Sequence, residues 1–205
     1  MSELKIYGDI YDKEFLEKFG EYRDTIANTK LDKEFEVDVK KIAELCDINV
    51  DYGEIRSSGF CVNLHSVQDN ESSELNNNVY VKDIKINIDE PICRQRFTIA
   101  HELGHIILGH KGISFRDSNL QYKDFILRMN EVTANSFAAE LLMPEILLRQ
   151  ALETTMTKLN YNLNQLFFDS DIDYLVESTS KLMNVSMTTF KYRLKNLGIF
   201  VKKND

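Results

Sequence analysis

Cysteine, proline and long apolar runs are all scarce in this chain, and each scarcity removes a class of protein. The three cysteines, Cys46, Cys61 and Cys93, are an odd number, widely spaced and without a CxxC pair. A disulfide framework or a thiolate zinc site does not fit them, and buried free thiols are the simpler reading. The uninterrupted apolar runs are only a few residues long, as at Ile106-Ile107-Leu108, so no segment is expected to span a bilayer and no membrane partner is expected. The N-terminal stretch mixes acidic and basic side chains around no apolar core; it is unlike a secretory leader, and the expected location is cytoplasmic. The two prolines, Pro91 and Pro144, stand where strand and helix patterns stop. What is abundant is ordinary. Hydrophobic residues make up 43% and charged residues 28% of 205, close to soluble globular averages, which excludes wholesale disorder. That length holds one full core, or one core with a small appendage, and not two large domains. A net charge of -8 argues against a protein that coats nucleic acid, though not against one local basic surface.

Periodicity divides the chain further. Phe15, Leu16, Phe19, Tyr22 and Ile26 predict an amphipathic helix over 13–28 behind Asp12, and Val37, Val39, Ile42, Ala43 and Cys46 predict another over 37–46. From Ile48 to about Asn63, and again over 79–88, β-branched and aromatic residues alternate with polar ones, broken by Gly53 and Gly59, as in the strands of a small sheet. The Asn- and Ser-rich stretch between them reads as a loop. Helices follow over 94–108 and 124–142, with a short one over 145–152. Residues 154–171, rich in Asn, Thr and Asp, are the best candidate boundary. The expected organisation is a body over 1–155 and a C-terminal region over 156–205.

The helix over 94–108 leads into FTIAHELGHIILGH at 97–110, where His101-Glu102-Leu103-Gly104-His105 is an HExxH pattern. Four residues rotate a helix through about 400°, so the two imidazoles stand one turn apart on one face and can grip one metal ion. The glutamate beside the first histidine lies on the flank of that site. There its carboxylate can take a proton from the attacking water and pass it to a leaving group, as in zinc peptidases. The pattern by itself is a modest filter, but Phe97, Ile99, Leu103, Ile106 and Ile107 make its helix largely buried. Two buried histidines need partners, which a metal or hydrogen-bonding neighbours can supply.

A catalytic zinc takes a third protein ligand and leaves its fourth position to water. His110 lies nine residues after His101 and the nearby glycine is one place late, so neither fits the extended HExxHxxGxxH pattern; a surface or capping histidine is the expectation. The next helix offers Glu131 and Glu140. Glu131, Ala134, Asn135 and Ala138 share a face whose small residues permit close helix approach, which makes Glu131 the expected third ligand. The simpler reading is a glutamate placed near a helix start by the dipole. Asn135, one turn later, can hold a histidine ring or the carboxylate in place, or bond locally. Tyr122, His65 and Arg128 are candidates for stabilising an oxyanion.

Together, RQRFTIAHELGHIILGH at 94–110 and ExxANxFAAxLLMP at 131–144 resemble the signature of the ImmA/IrrE family of metallo-endopeptidases. The likeness extends upstream through VDVKKIAELCDINV, Gly59 and the IKIN strand at 84–87, and downstream into a VS-containing tail, over roughly residues 36–200. The resemblance implies an α+β fold: a zincin-like metallopeptidase core of a small sheet, the HExxH helix and the glutamate helix, with a C-terminal helix-turn-helix-like all-α appendage. It implies Zn2+ held by His101, His105 and Glu131, with Glu102 as general base. It also implies a protein substrate, a repressor carrying a DNA-binding helix-turn-helix, whose cleavage relieves repression of stress genes or mobile elements. The long stretch at 65–78 departs from the family pattern.

Residues 172–200 predict two helices and a tight turn, with Leu175, Leu182, Val185, Phe190, Leu194 and Leu197 as the seam, Asn184 at the turn and Ser186 as a cap. From Ser178 to the end, six basic residues accompany one acidic residue, a net of +5 that leaves -13 for the rest. Such a pair of helices can contact DNA. It can also pack on the body with its lysines solvated, the reading favoured because only one arginine is present, or it can dock the substrate. A different class of function remains open at this point: a DNA-binding or partner-binding regulator with a structural or idle metal site. Glu102 counts against it, because a structural zinc is closed by four protein ligands and needs no such neighbour.

Overall fold

The apolar pattern over 13–28 contains a glycine, and the chain breaks there. In the computed structural model, which describes residues 5–64, 81–110, 120–161 and 167–199, helix α1 (Tyr7–Ile10) is followed by α2 (Lys13–Glu17), whose first turn is capped by Asp12 accepting from the Phe15 N–H. Gly20 then adopts φ +57° and opens a 3-10 turn over Gly20–Tyr22 before α3 (Arg23–Ala27). One expected helix becomes two, since a left-handed residue cannot continue a right-handed helix. The apolar face survives the break. Phe15, Phe19 and Ile26 are buried, and the Phe15 ring packs 5.2 Å from that of Phe137.

Asp38 caps α4 (Val39–Leu45) through the Lys41 N–H, and Asp47, at φ 56°, turns the chain into the sheet. Its strands are β1 (Ile48–Gly53), β2 (Gly59–Leu64) and β3 (Val81–Asn87), in the order β1-β3-β2. β3 runs parallel to β1, with Val50 opposite Ile84, and antiparallel to β2, with Gly59 opposite Ile86. Ile48, Val50, Ile84 and Ile86 are buried, so the two-residue alternation turns one face of the sheet toward the helices. Gly59 is obligatory at that contact: a Cβ there would meet Thr98 Cγ2 at 2.5 Å and the Lys85 carbonyl oxygen at 2.8 Å.

Helices α5 (Ile92–Ile107) and α6 (Leu120–Leu142) form the central pair. Their backbones approach closely where Gly104 meets Ala134, both buried, with the small and buried Ala100 and Ala138 one turn away. A Cβ on Gly104 would sit 3.0 Å from Phe137 Cδ1 and 3.3 Å from the Ala134 carbonyl oxygen. Pro144 stops the second helix and caps α7 (Glu145–Lys158). That helix runs six residues past its expected end, because Thr155 and Met156 are also buried, and the expected boundary after residue 155 falls inside it.

Helices α8 (Asp169–Leu182) and α9 (Met187–Asn196) follow, joined through Asn184 at φ 52°, with Ser186 accepting from the Thr189 N–H. Leu175, Val176, Met183, Val185, Phe190 and Leu194 are buried in the same apolar core as the side chains of α4, α5 and α7. Two buried arginines tie the parts together. Arg96 of α5 donates to the Val37 and Asn184 carbonyls at 2.9 and 3.1 Å and to Glu36 Oε1 at 2.9 Å. Arg193 of α9 donates to the Met143 carbonyl at 3.1 Å. The fold is thus α+β, with a small three-stranded sheet among many helices. No described helix is long and apolar enough to cross a membrane.

Candidate metal centre

His101 and His105 stand one turn apart on α5, and α6 crosses that face with Glu131 directed between them. The three donor atoms converge. His101 Nε2 lies 3.1 Å from His105 Nε2 and 3.3 Å from one Glu131 oxygen, and His105 Nε2 lies 3.4 Å from the other. Donors about 2.0–2.1 Å from a zinc ion at tetrahedral angles stand about 3.3–3.4 Å from one another. Two imidazoles and a carboxylate at that spacing are a donor set that can hold one metal ion. The histidine side chains are 16% and 20% exposed while that of Glu131 is 59% exposed, so the centre is covered from the core side and open at the carboxylate.

The outward nitrogens are equally well defined. His101 Nδ1 donates to Asn135 Oδ1 at 3.0 Å, leaving its Nε2 lone pair for a metal. His105 Nδ1 faces His110 Nδ1 at 3.0 Å, and His110 Nε2 faces Thr133 Oγ1 at 3.2 Å. The Thr133 hydroxyl sits 3.0 Å from the Met129 and Asn130 carbonyl oxygens, which can only accept. Its proton therefore points at a carbonyl, its oxygen accepts from His110 Nε2–H, and His110 Nδ1 accepts from His105 Nδ1–H. Proton direction along the chain thus selects the tautomer of His105 that presents a bare Nε2 inward. Burial, and then a neighbouring imidazole, push both His105 and His110 below the ordinary histidine pKa. Both rings are accordingly neutral at pH 7, the form in which imidazole ligates metal.

The geometry brings together His101, His105, Glu131 and Asn135 as the sequence reading expected, and it leaves Glu140 elsewhere, paired with Lys18 at 3.0 Å and near Arg193 at 3.7 Å. His110 lies outside the converging trio, and its backbone N–H bonds to the His105 carbonyl as a cap would. Its ring was missed by a spacing argument that asked only whether it could ligate; a histidine just past the helix end, able to fold back onto the previous turn, was the available signal. Replacing His110 with Ala is expected to weaken metal binding by about 10- to 100-fold, read by competition with a chromophoric chelator; an unchanged affinity would remove its part in orienting His105. Of the candidates for oxyanion stabilisation, His65 and the side chain of Tyr122 lie outside the described residues, and Arg128 is exposed on α6 one turn before Glu131. Cys46 is no nucleophile, since burial and then Asp47 push its thiol up to about 12.

The basic residues of the C-terminal helices are largely engaged. Lys181 pairs with Glu177 at 2.6 Å and Lys191 with Asp173 at 2.8 Å, while Arg193 is buried. A comparison with protein families finds the peptidase M78 model, described as the IrrE N-terminal-like domain, matching residues 56–195. That match covers about two thirds of the chain and includes α5, α6 and the C-terminal helix pair. No curated protein matches the chain.

Proposed function

The chain belongs to the ImmA/IrrE family of M78 peptidases, and from that premise we propose that it is a zinc-dependent endopeptidase with His101, His105 and Glu131 as metal ligands and Glu102 as general base. The observation that carries this reading is the convergence of three donors at tetrahedral spacing, with Glu102 adjoining the first of them. When bound, the ion supplies Lewis acidity that polarises the scissile carbonyl and acidifies water. The carboxylate of Glu102 takes the proton of the attacking water and delivers it to the departing amine nitrogen. Asn135 Oδ1 holds the His101 ring, and the His110–Thr133 chain holds that of His105. The exposed side of Glu131 is where an extended substrate enters. In this reading the sheet, α5 and α6 form a zincin-like core, and α8 and α9 form a helix-turn-helix-like region.

The substrate we infer is a cytoplasmic repressor with a DNA-binding helix-turn-helix. The DNA-contact surfaces of such proteins are basic, and the chain before Ser178 carries a net charge of -13, a complementarity that favours encounter. The regulator reading is less well supported, because the ion pairs of Lys181 and Lys191 and the burial of Arg193 remove cations that phosphates would need. Salt-sensitive binding of a random duplex, lost in Lys195→Glu, would favour the regulator instead.

The test is co-expression with candidate helix-turn-helix repressors of the same genome. The expected result is a shortened repressor in cells. In lysate, a strong chelator should stop the cleavage and added zinc should restore it. A repressor left intact by the zinc-loaded protein would sink this assignment.

A further inference from the structure

A cavity of about 370 Å³ opens beside the metal centre, between α5, α6 and α9, lined by Phe97, Val132, Asn135, Thr188, Thr189 and Tyr192. At roughly 30 Å³ per water it would hold about a dozen waters, so a large side chain fits. Its walls are largely apolar. Asn135 Oδ1 is engaged by His101, and Thr189 Oγ1 lies 2.8 Å from Ser186 Oγ. The apolar part of the lining is the Phe97 and Tyr192 rings and the Val132 side chain.

Two contacts join this cavity to the candidate site. The Phe97 ring stacks on His101 with centroids 6.3 Å apart and planes at 27°, and Asn135 both lines the cavity and holds His101. Val132 directly follows Glu131. The apolar surface is also unusually open: Val132 is 53% and Tyr192 43% exposed. Val132 ends a row with Phe125 and Met129, both exposed at helical spacing on α6. Scattered exposed apolar residues need no explanation, but a contiguous row running into a pocket marks a binding surface.

We propose that this cavity is a specificity pocket that receives a large apolar side chain of the polypeptide substrate at one fixed position near the scissile bond. The proposal rests on the peptidase reading and gives the C-terminal helix α9 a part in it, as one wall of the substrate site. Among the described residues the lining carries no cationic side chain that would suit a nucleic acid, and a polypeptide is what the adjoining chemistry would act on. Hydrophobic pockets of this kind separate side chains by 10-fold or more per methylene, so Phe, Leu, Met and Ile are preferred over Ala and over charged residues.

The experiment has a cleavage arm and a binding arm. Zinc-loaded protein is given a degenerate peptide library and its products are sequenced. One position relative to the cut is expected to be enriched in large apolar residues, Val132→Trp should shift that position toward Ala by at least tenfold, and Tyr192→Ala should relax it. Cleavage with no positional preference, or a preference that Val132→Trp leaves within twofold, overturns the pocket. In the binding arm, Glu102→Gln protein is titrated with fluorescein-labelled nonapeptides bearing Phe or Ala at the centre. The Phe peptide is expected to bind at least tenfold more tightly, with the difference erased by adding Val132→Trp. Equal binding of the two peptides overturns the pocket, as does equal binding accompanied by a dimer that Val132→Trp dissolves. Discrimination in binding with no cleavage by the unaltered protein supports the pocket and overturns the peptidase reading, so the two fail separately.

Discussion

Glu102→Gln is expected to lower kcat/KM for peptide cleavage by about 10²- to 10⁴-fold while leaving metal content unchanged. The amide matches the carboxylate in size and stays on the same turn of α5, so the helix and its packing on α6 are not asked to change. Glu102 is not among the three residues whose donor atoms converge, so the ion is expected to stay bound without its carboxylate. What the amide cannot do is accept a proton from water and return it to the leaving nitrogen. Metal analysis of the purified variant, beside initial rates on one peptide, separates the two properties. Proteolysis retained near the unaltered rate would end the general-base assignment, and loss of the ion would show that Glu102 supports the centre instead. Glu131→Ala is the complementary case, with metal lost before chemistry is reached.

Arg96→Met should be among the most damaging substitutions to stability in the whole chain, by about 3–5 kcal/mol. Arg96 is 8% exposed, and its guanidinium serves three acceptors at once, the Val37 and Asn184 carbonyls and the Glu36 carboxylate. Methionine fills much of the same volume, so the expected loss is electrostatic: Glu36 keeps only its pairing with the exposed Lys33, and the Val37 and Asn184 carbonyls lose their donor. At roughly 2–4 °C per kcal/mol for a chain of this size, the melting temperature should fall by about 6–20 °C. Glu36→Gln, which keeps Arg96 and its carbonyl bonds, should cost much less. A thermal shift of only a degree or two for Arg96→Met would mean that the three parts it joins hold together without it.

The centre was legible because its information is local. Helical spacing puts His101 and His105 on one face, and small residues beside Glu131 and Asn135 advertise a helix that can come close. The sheet was legible as strands but not as an order, since nothing in the alternation over 48–63 tells that β3 inserts between β1 and β2. Gly20 was visible and its effect was not. A glycine inside an apolar period can be tolerated in a helix, and only the φ of +57° shows that this one is a break. The length of α7 was hidden because Thr155 does not look like a core residue until α8 covers it. The Phe97–Val132–Tyr192 cavity joins residues about 95 apart in the chain, a relation that no window of sequence contains.

Because α8 and α9 bury their seam in the same core as α4, α5 and α7, with Arg96 and Arg193 hydrogen-bonded across the contact, the tail is not a cassette. It cannot be exchanged as a detachable module without emptying the core beneath α5. Substitutions that spare the core are then those on the outer face of α9 and the exposed row of α6. New preferences would arise by repainting a wall rather than by recombining domains, and chimeras grafting a foreign tail after residue 155 should accumulate as insoluble protein.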